Sequence, residues 1–475
     1  MKPVVTNRSF ALVASITVLA LVTMACACNL TDNLVSRVSP KALGTAQQAV
    51  EEAEELVQTV EVVEEEPVLP TVEEPGEEER PTPKPVGQGQ PARIVKSGFG
   101  QDGTSIGLAF LVENPNPNLA IRNLEYRVAA YDDTDTVQAT STGYVGYLPS
   151  GETTGIANSL YVNEGINITR IDIKLEDGLT EEEEQPIAFP VDKVSYRADD
   201  YNPTINGVVT NPFDSRYINL ALSGILYNEA GEIIGSGYSF LNFIEANSSL
   251  GVSFYPIRGE EPDHVEIYVT YSGYEDTTPP RPSGTEELRL VQYGYGVDQF
   301  SSSYALILEN SNPDYALIYT QYYVSAYDEE GYVVNTTWSS VGLILPGQTL
   351  ATSASGSLPQ NATIARMDVQ VMVTEYRKMD AVSLFTTENA KFTGDQYSKK
   401  ITGVVVSPYD HDVPNVNVVA VGYDSAGNII GSGYTWLDFV PAGARAAVEV
   451  YIYASETPAR VELYAYVSDL TSLGE

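Results

Sequence analysis

Cysteine is nearly absent: Cys26 and Cys28 are the only two in 475 residues. No disulfide can therefore staple anything beyond residue 28, and the folded part must stand on its cores alone. Histidine is equally scarce, with His264 and His411 the complete set. Positive charge is short as well, 26 Lys and Arg against 64 Asp and Glu, for a formal net charge of -38. That balance excludes nucleic acid as a partner, because phosphates bind through Lys and Arg that displace counterions. It also disfavours electrostatic docking on anionic lipid. No stretch beyond residue 91 carries sustained 3.6-residue periodicity, so long amphipathic helices are not expected there.

What is present begins with an address. Lys2 and Arg8 flank a charged start, and residues 9–25 (SFALVASITVLALVTMA) form an uncharged apolar run. The run is shorter than the ~20 residues a membrane span needs and reads as an export signal. Cys26 follows it directly, preceded by Ala25, with Cys28 two residues on. This arrangement resembles the lipobox of bacterial lipoproteins, in which a small residue precedes a cysteine that is lipidated and becomes the new N-terminus. Thr23 stands where that motif usually has Leu. The resemblance implies lipidation at Cys26, with Cys28 as the alternative, and an extracytoplasmic, membrane-anchored chain. An uncleaved signal anchor is the other reading.

From 26 to 90 the composition changes. EEAEELVQTVEVVEEEPVLPTVEEPGEEERPTPKP is rich in Glu and Pro and has no aromatic residue, the signature of a disordered tether. Like charges repel and prolines stiffen, so roughly 65 such residues reach at least about 45 Å. Ala46, Val50, Ala53, Val57 and Val60 are spaced for a short amphipathic helix or a two-heptad coiled coil within it.

Beyond the tether the chain repeats at an offset of 196 residues: GEIIGSGYSFLNF from Gly231 matches GNIIGSGYTWLDF from Gly427. Glu113 and Glu309, Tyr131 and Tyr327, and Tyr227 and Tyr423 obey the same offset. Each half holds two related units in which a strand ends in Tyr followed by Asp or Asn: Tyr131-Asp132, Tyr227-Asn228, Tyr327-Asp328 and Tyr423-Asp424. Three continue to Gly231, Gly331 or Gly427. Asp or Asn closes a turn onto its own backbone and Gly supplies positive φ, so the pattern predicts a hairpin. Short alternating runs such as IRNLEYRVAAY (121–131) and ARVELYAYVS (459–468) predict strands.

The fold class expected is all-β: four tandem Ig-like antiparallel β-sandwich modules at 91–178, 187–273, 287–375 and 395–470. The repeated Tyr-Asp/Asn turn resembles the FxLYD-type domain, a small Ig-like sandwich of bacterial surface and secreted proteins, with kinship to the LEA-type sandwich. Val128, Gly224, Val324 and Ala420 replace that motif's leading Phe. The family brings no catalytic residues. Linkers are expected at 176–186, at 272–287 with Pro279, Pro280 and Pro282, and at 376–399.

The repeat also tests for chemistry, because a catalytic residue in one copy has a counterpart in the other. His264 corresponds to Arg460 and His411 to Ser215, so a histidine triad or zinc site would exist in one copy only. Asp132, Asp133 and Asp135 in one hairpin loop are calcium candidates, matched by Asp328, Glu329 and Glu330. They lack EF-hand spacing, and a solvated hairpin is the alternative. GSG at 235–237 and 431–433 reads as a strand bulge. Tyr295, Tyr322, Tyr323, Tyr434, Trp436, Tyr451, Tyr453, Tyr464 and Tyr466 crowd the second half, and Phe240 matches Trp436. That pairing predicts a core role for both, with packing rather than ligand as the use of most of these rings. The expectation is a non-enzymatic surface lipoprotein without cofactor, held to the membrane by its lipid and displaying modules to an unidentified protein or glycan. Glycan capture through exposed aromatics is the rival reading.

Overall fold

A computed structural model describes residues 89–473, apart from short stretches at 184–185, 199–202, 256, 274–275, 299–300, 358–361 and 395–397. The signal segment, Cys26, Cys28 and the acidic tether lie outside the described residues. Those described are all-β, in eight small antiparallel sheets, with a single 3-10 turn at Thr471–Leu473.

The first quarter contributes β1 (Arg93–Asp102), β2 (Ser105–Glu113), β3 (Leu119–Asp132), β4 (Val137–Leu148), β5 (Thr153–Tyr161), β6 (Ile168–Leu175) and β7 (Leu179–Glu182). The second has β8 (Val191–Arg197), β9 (Thr204–Asn211), β10 (Tyr217–Tyr227), β11 (Ile233–Ile244), β12 (Ser248–Phe254), β13 (Ile257–Gly259) and β14 (His264–Tyr271). The third has β15 (Arg289–Val297), β16 (Ser301–Glu309), β17 (Tyr315–Tyr327), β18 (Val333–Ile344), β19 (Thr349–Ser357) and β20 (Arg366–Lys378). The last has β21 (Thr386–Gly394), β22 (Lys399–Val406), β23 (Val413–Tyr423), β24 (Ile429–Val440), β25 (Arg445–Tyr451), β26 (Tyr453–Ala454) and β27 (Arg460–Val467).

The sheets form a succession, numbered I to VIII by which packs on which. Sheet I holds β3, β4, β6 and β7, and sheet II holds β1, β2 and β5; sheet III is β10, β11, β13 and β14, and sheet IV is β8, β9 and β12. Sheet V is β17, β18 and β20, sheet VI β15, β16 and β19, sheet VII β23, β24, β26 and β27, and sheet VIII β21, β22 and β25. Sheets I and II share a core that includes Phe110, Leu124, Tyr126 and Ile156. Sheets III and IV enclose Ile205, Leu222, Phe243 and Leu250. Sheets V and VI enclose Leu306, Tyr322 and Val324, and sheets VII and VIII Ile401, Val418 and Val448.

Neighbouring pairs do not hang from extended linkers; they pack on one another. Strands β1, β2 and β5 of sheet II contact β11 of sheet III, β12 of sheet IV contacts β17 and β18 of sheet V, and β15, β16 and β19 of sheet VI contact β24 of sheet VII. Three stretches read as linkers are partly structural. β7 pairs with β3 inside 176–186, and β21 pairs with β22 inside 376–399. Glu286, in 272–287, donates its N–H to Asn312 Oδ1 at 2.7 Å.

Two strands show how this stacking is encoded. β2 and β16 are buried on both faces. In β2, Leu108 and Phe110 fill the core of the first pair while Ala109 meets Ile225, Tyr227 and Ile233 of the next. Gly98 and Gly100 let β1 approach so closely that an added Cβ would strike the carbonyls of Ile233 and Ile234. Gly294 and Gly296 do the same against Ile429 and Ile430. Small residues here allow backbone-to-backbone contact between sheets.

The two ends of the succession are closed by charge. The outer row of β3 carries Glu125 and Arg127, paired at 2.8 Å, where β17 has Gln321 and Tyr323 facing sheet IV. On sheet VIII, Lys400 pairs with Glu449 at 2.8 Å and Arg445 with Glu388. Repeat arrays need such polar caps to stop further stacking.

The four hairpins after β3, β10, β17 and β23 form as their sequences predict. Asp328 Oδ1 accepts the Tyr332 N–H at 2.8 Å, Asp424 Oδ1 that of Asn428 at 2.8 Å, and Asn228 Oδ1 that of Glu232 at 2.9 Å. Gly231, Gly331 and Gly427 have φ of 74°, 83° and 87°. The strand bulge sits at the closing tyrosine of each hairpin, not at the GSG segments. Gly235, Gly431 and Gly433 pair regularly instead, and their missing side chains make room for the backbone of residues 258–259 and 451–454.

Candidate ligand-binding surface

The sequence candidates are dispersed by the fold. Asp132 is consumed by its own loop: Oδ1 accepts the N–H groups of Thr134 and Thr136 and the Thr134 hydroxyl, at 2.7–3.0 Å. These hydrogen bonds, the Thr134 hydroxyl first, hold its carboxyl down at about 2. Asp135 pairs with Arg170. Among the described residues no cluster of three His, Cys, Asp or Glu side chains is placed to hold a metal. His264 stacks on Tyr227, and His411 lies beside Asp410 at 3.2 Å and against Tyr409.

The aromatic candidates divide. Tyr322, Tyr323 and Tyr466 are buried. Tyr295 and Tyr464 are half-buried, with hydroxyls donating to the Ile364 carbonyl and to Glu462. Tyr434, Trp436, Tyr451 and Tyr453 are exposed. The expected core role of Trp436 and Phe240 is overturned: they are 64% and 62% exposed.

The reason lies in how β11 and β24 leave their junctions. Ser236 donates to the Leu108 carbonyl at 2.8 Å, so its side of β11 faces sheet II. Tyr238 and Phe240 continue on that side by the two-residue period of a strand, past the cover that sheet II provides. β13 pairs with β11 only at Gly235–Gly237 and shields neither ring. β24 repeats the plan: Ser432 bonds Ser303 and Ser353 of sheet VI, then Tyr434 and Trp436 emerge. On β18, Thr336 bonds the Gly251 carbonyl at 2.9 Å and Trp338 follows.

Strand register makes these positions equivalent. Tyr238, Trp338 and Tyr434 lie opposite Ser223, Tyr323 and Val419. Tyr144, Phe240 and Trp436 lie opposite Glu125, Ala221 and Asn417. Every sheet pair thus carries one or two exposed rings at the same two places on the second hairpin strand. The 196-residue repeat pairs Tyr238 with Tyr434 and Phe240 with Trp436. It could not reveal Trp338, whose counterpart is Thr142.

At the junction of sheets III and IV with sheet V these rings border a groove of about 380 Å³, lined by Phe240, Asn242, Ser253, Tyr323, Thr336 and Trp338 among others. Asn242 donates its N–H to Tyr323 Oη at 3.0 Å, which closes the free edge of β11. Trp338 Nε1 and Asn242 Nδ2 both donate to Gln321 Oε1, at 3.3 and 3.4 Å. Burial pushes the Tyr323 hydroxyl up to about 12. The groove carries no acidic or basic side chain. Three further grooves hold ionised side chains: Glu152 in one, Glu176 and Asp177 in another, and in the third Glu245 and Glu287 paired with Arg216 and Arg281.

No known protein family matches the chain, and no curated protein is detectably similar to it.

Proposed function

We propose that this is a non-catalytic, extracytoplasmic lipoprotein that displays four Ig-like, FxLYD-like β-sandwich modules away from a bacterial membrane. A lipid on Cys26, or on Cys28, is the anchor, and the acidic stretch to residue 90 is the tether. The observation that carries the reading is the succession of eight sheets with charged ends. Layers about 10 Å apart give on the order of 70 Å of reach across the eight sheets. The repeated acids support a structural use, since Asp132, Asp328 and Asp424 serve their own turns. The partner is a protein or a glycan met at the exposed surface.

Labelling with radioactive palmitate in a bacterial host tests the anchor. The wild-type chain takes up label, and Cys26→Ala loses it while Cys28→Ala keeps it. Loss in Cys28→Ala alone moves the site to the alternative cysteine. Label on neither cysteine refutes the lipoprotein reading.

A further inference from the structure

We infer that the groove bordered by Phe240 and Trp338, with the Tyr434–Trp436 pair as a second platform, binds an uncharged polysaccharide. The inference rests on the reading of the chain as a display body and names what that body holds.

Three observations converge. The groove is free of carboxylate, amine and guanidinium groups in a chain of net charge -38. A cationic ligand would be drawn to the grooves lined by Glu152 and by Glu176 and Asp177 instead, and the net charge of the chain disfavours a polyanion. An uncharged ligand is what this lining suits. Its volume of about 380 Å³ falls in the range of small-molecule sites.

The second observation is the chemistry of the walls. Phe240 and Trp338 are 62% and 42% exposed, and such rings offer apolar faces to the C–H faces of sugar rings. Beside them, Asn242, Ser239, Ser253 and Thr336 supply an amide and hydroxyls that can meet sugar hydroxyls.

The third is distribution. A protein partner needs one contiguous patch of about 800 Å² per side with a central cluster of anchors. Here the second hairpin strands carry one or two exposed rings to a sheet pair, at register-equivalent positions, and the last pair adds Phe439, Tyr451 and Tyr453. Periodic, separated platforms match a polymer that repeats its own rings, and each weak contact adds to the next by avidity.

The test is affinity electrophoresis of the full chain, in non-ionic detergent, through native gels cast with hydroxyethyl cellulose, galactomannan, dextran or alginate. Retardation is expected in at least one of the three uncharged gels and not in alginate. Phe240→Ala with Trp338→Ala is expected to weaken retention at least about tenfold, whereas Trp338→Tyr keeps most of it. Both rings are exposed, so the double variant should melt with the wild type, and its melting curve verifies this. Trp436→Ala is expected to weaken retention partially; no change there removes the second platform. Absence of retardation in all three uncharged gels, retardation by alginate alone, or unchanged retention of the double variant overturns the inference. None of these outcomes touches palmitate labelling, so the failure of one reading is separable from the failure of the other.

Discussion

His264 lies flat on Tyr227, the two rings 4.8 Å apart and 7° from parallel. The same cross-strand position holds Arg170 over Tyr131, Arg366 over Tyr327 and Arg460 over Tyr423, at 3.8, 4.1 and 3.7 Å from the ring centroids. Strand register puts each planar group opposite the tyrosine that closes its hairpin. The one histidine among them is thus a member of a structural set. His264→Ala should lower stability by about 0.5–1 kcal/mol, the worth of an exposed ring-stacking contact. His264→Arg should match or exceed the wild type, because it restores the guanidinium of the other three. Urea midpoints decide; a loss in the arginine variant as large as in the alanine one would refute the assignment.

Gly251 is the narrow point between sheets IV and V. Its N–H donates to Tyr327 Oη at 2.9 Å, and its carbonyl accepts from Ser325 and Thr336, both at 2.9 Å. A Cβ there would lie 2.9 Å from Val333 Cγ2 and 3.0 Å from Tyr327 Oη. Gly251→Ala should cost about 1–3 kcal/mol through overpacking. It should also raise protease cleavage in 272–287 as the junction loosens. Ala447, the repeat counterpart of Gly251, sits exposed on the end sheet. Ala447→Gly should leave that cleavage unchanged.

Asn114 and Asn310 are fully buried, and each side-chain amide donates to three carbonyls: Leu119, Leu148 and Pro149 in the first, Tyr315, Ile344 and Leu345 in the second. Alanine at either position orphans those carbonyls and should cost about 1–3 kcal/mol. Asn114→Asp should be no better, since a carboxylate cannot donate. Thermal or chemical denaturation reads the effect, and a neutral Asn310→Ala would contradict it.

Tyr323 and Tyr423 titrate late, both pushed up to about 12 by burial. The folded state favours the neutral phenol, so this stability is fully present below the ordinary tyrosine value near 10. It is lost as pH rises toward 12. Absorbance at 295 nm should show these phenols ionising together with unfolding, after the exposed tyrosines. Tyr323→Phe should remove one late titration and free the N–H of Asn242. Asp132 acts at the other extreme: its carboxyl is held at about 2, so its contribution stands above pH 4 and fades as pH falls through 2.

Strands and hairpins were legible because their causes are local. Alternation has a period of two, and the Tyr-Asp/Asn-x-x-Gly turn closes within five residues. The buried Asn114 and Asn310 were not legible, since their acceptors lie up to 35 residues away. The two-sided burial of β2 and β16 had a readable signal, the apolar runs IGLAFLV and YALIL within them. Such runs mark strands covered on both faces.

What the chain alone determined is therefore the set of pieces: strands of alternating character, four like turns, a charge that turns away polyanions. Alternation defines two faces for every strand but not what covers each one. That depends on where the next sheet pair lands, a contact between residues such as Gly98 and Ile233 that stand far apart in sequence. So Tyr322 and Trp436, both read from the sequence as packing residues, part company in space. Tyr322 points into a closed core, whereas Trp436 lies beyond the reach of the neighbouring sheet and meets solvent.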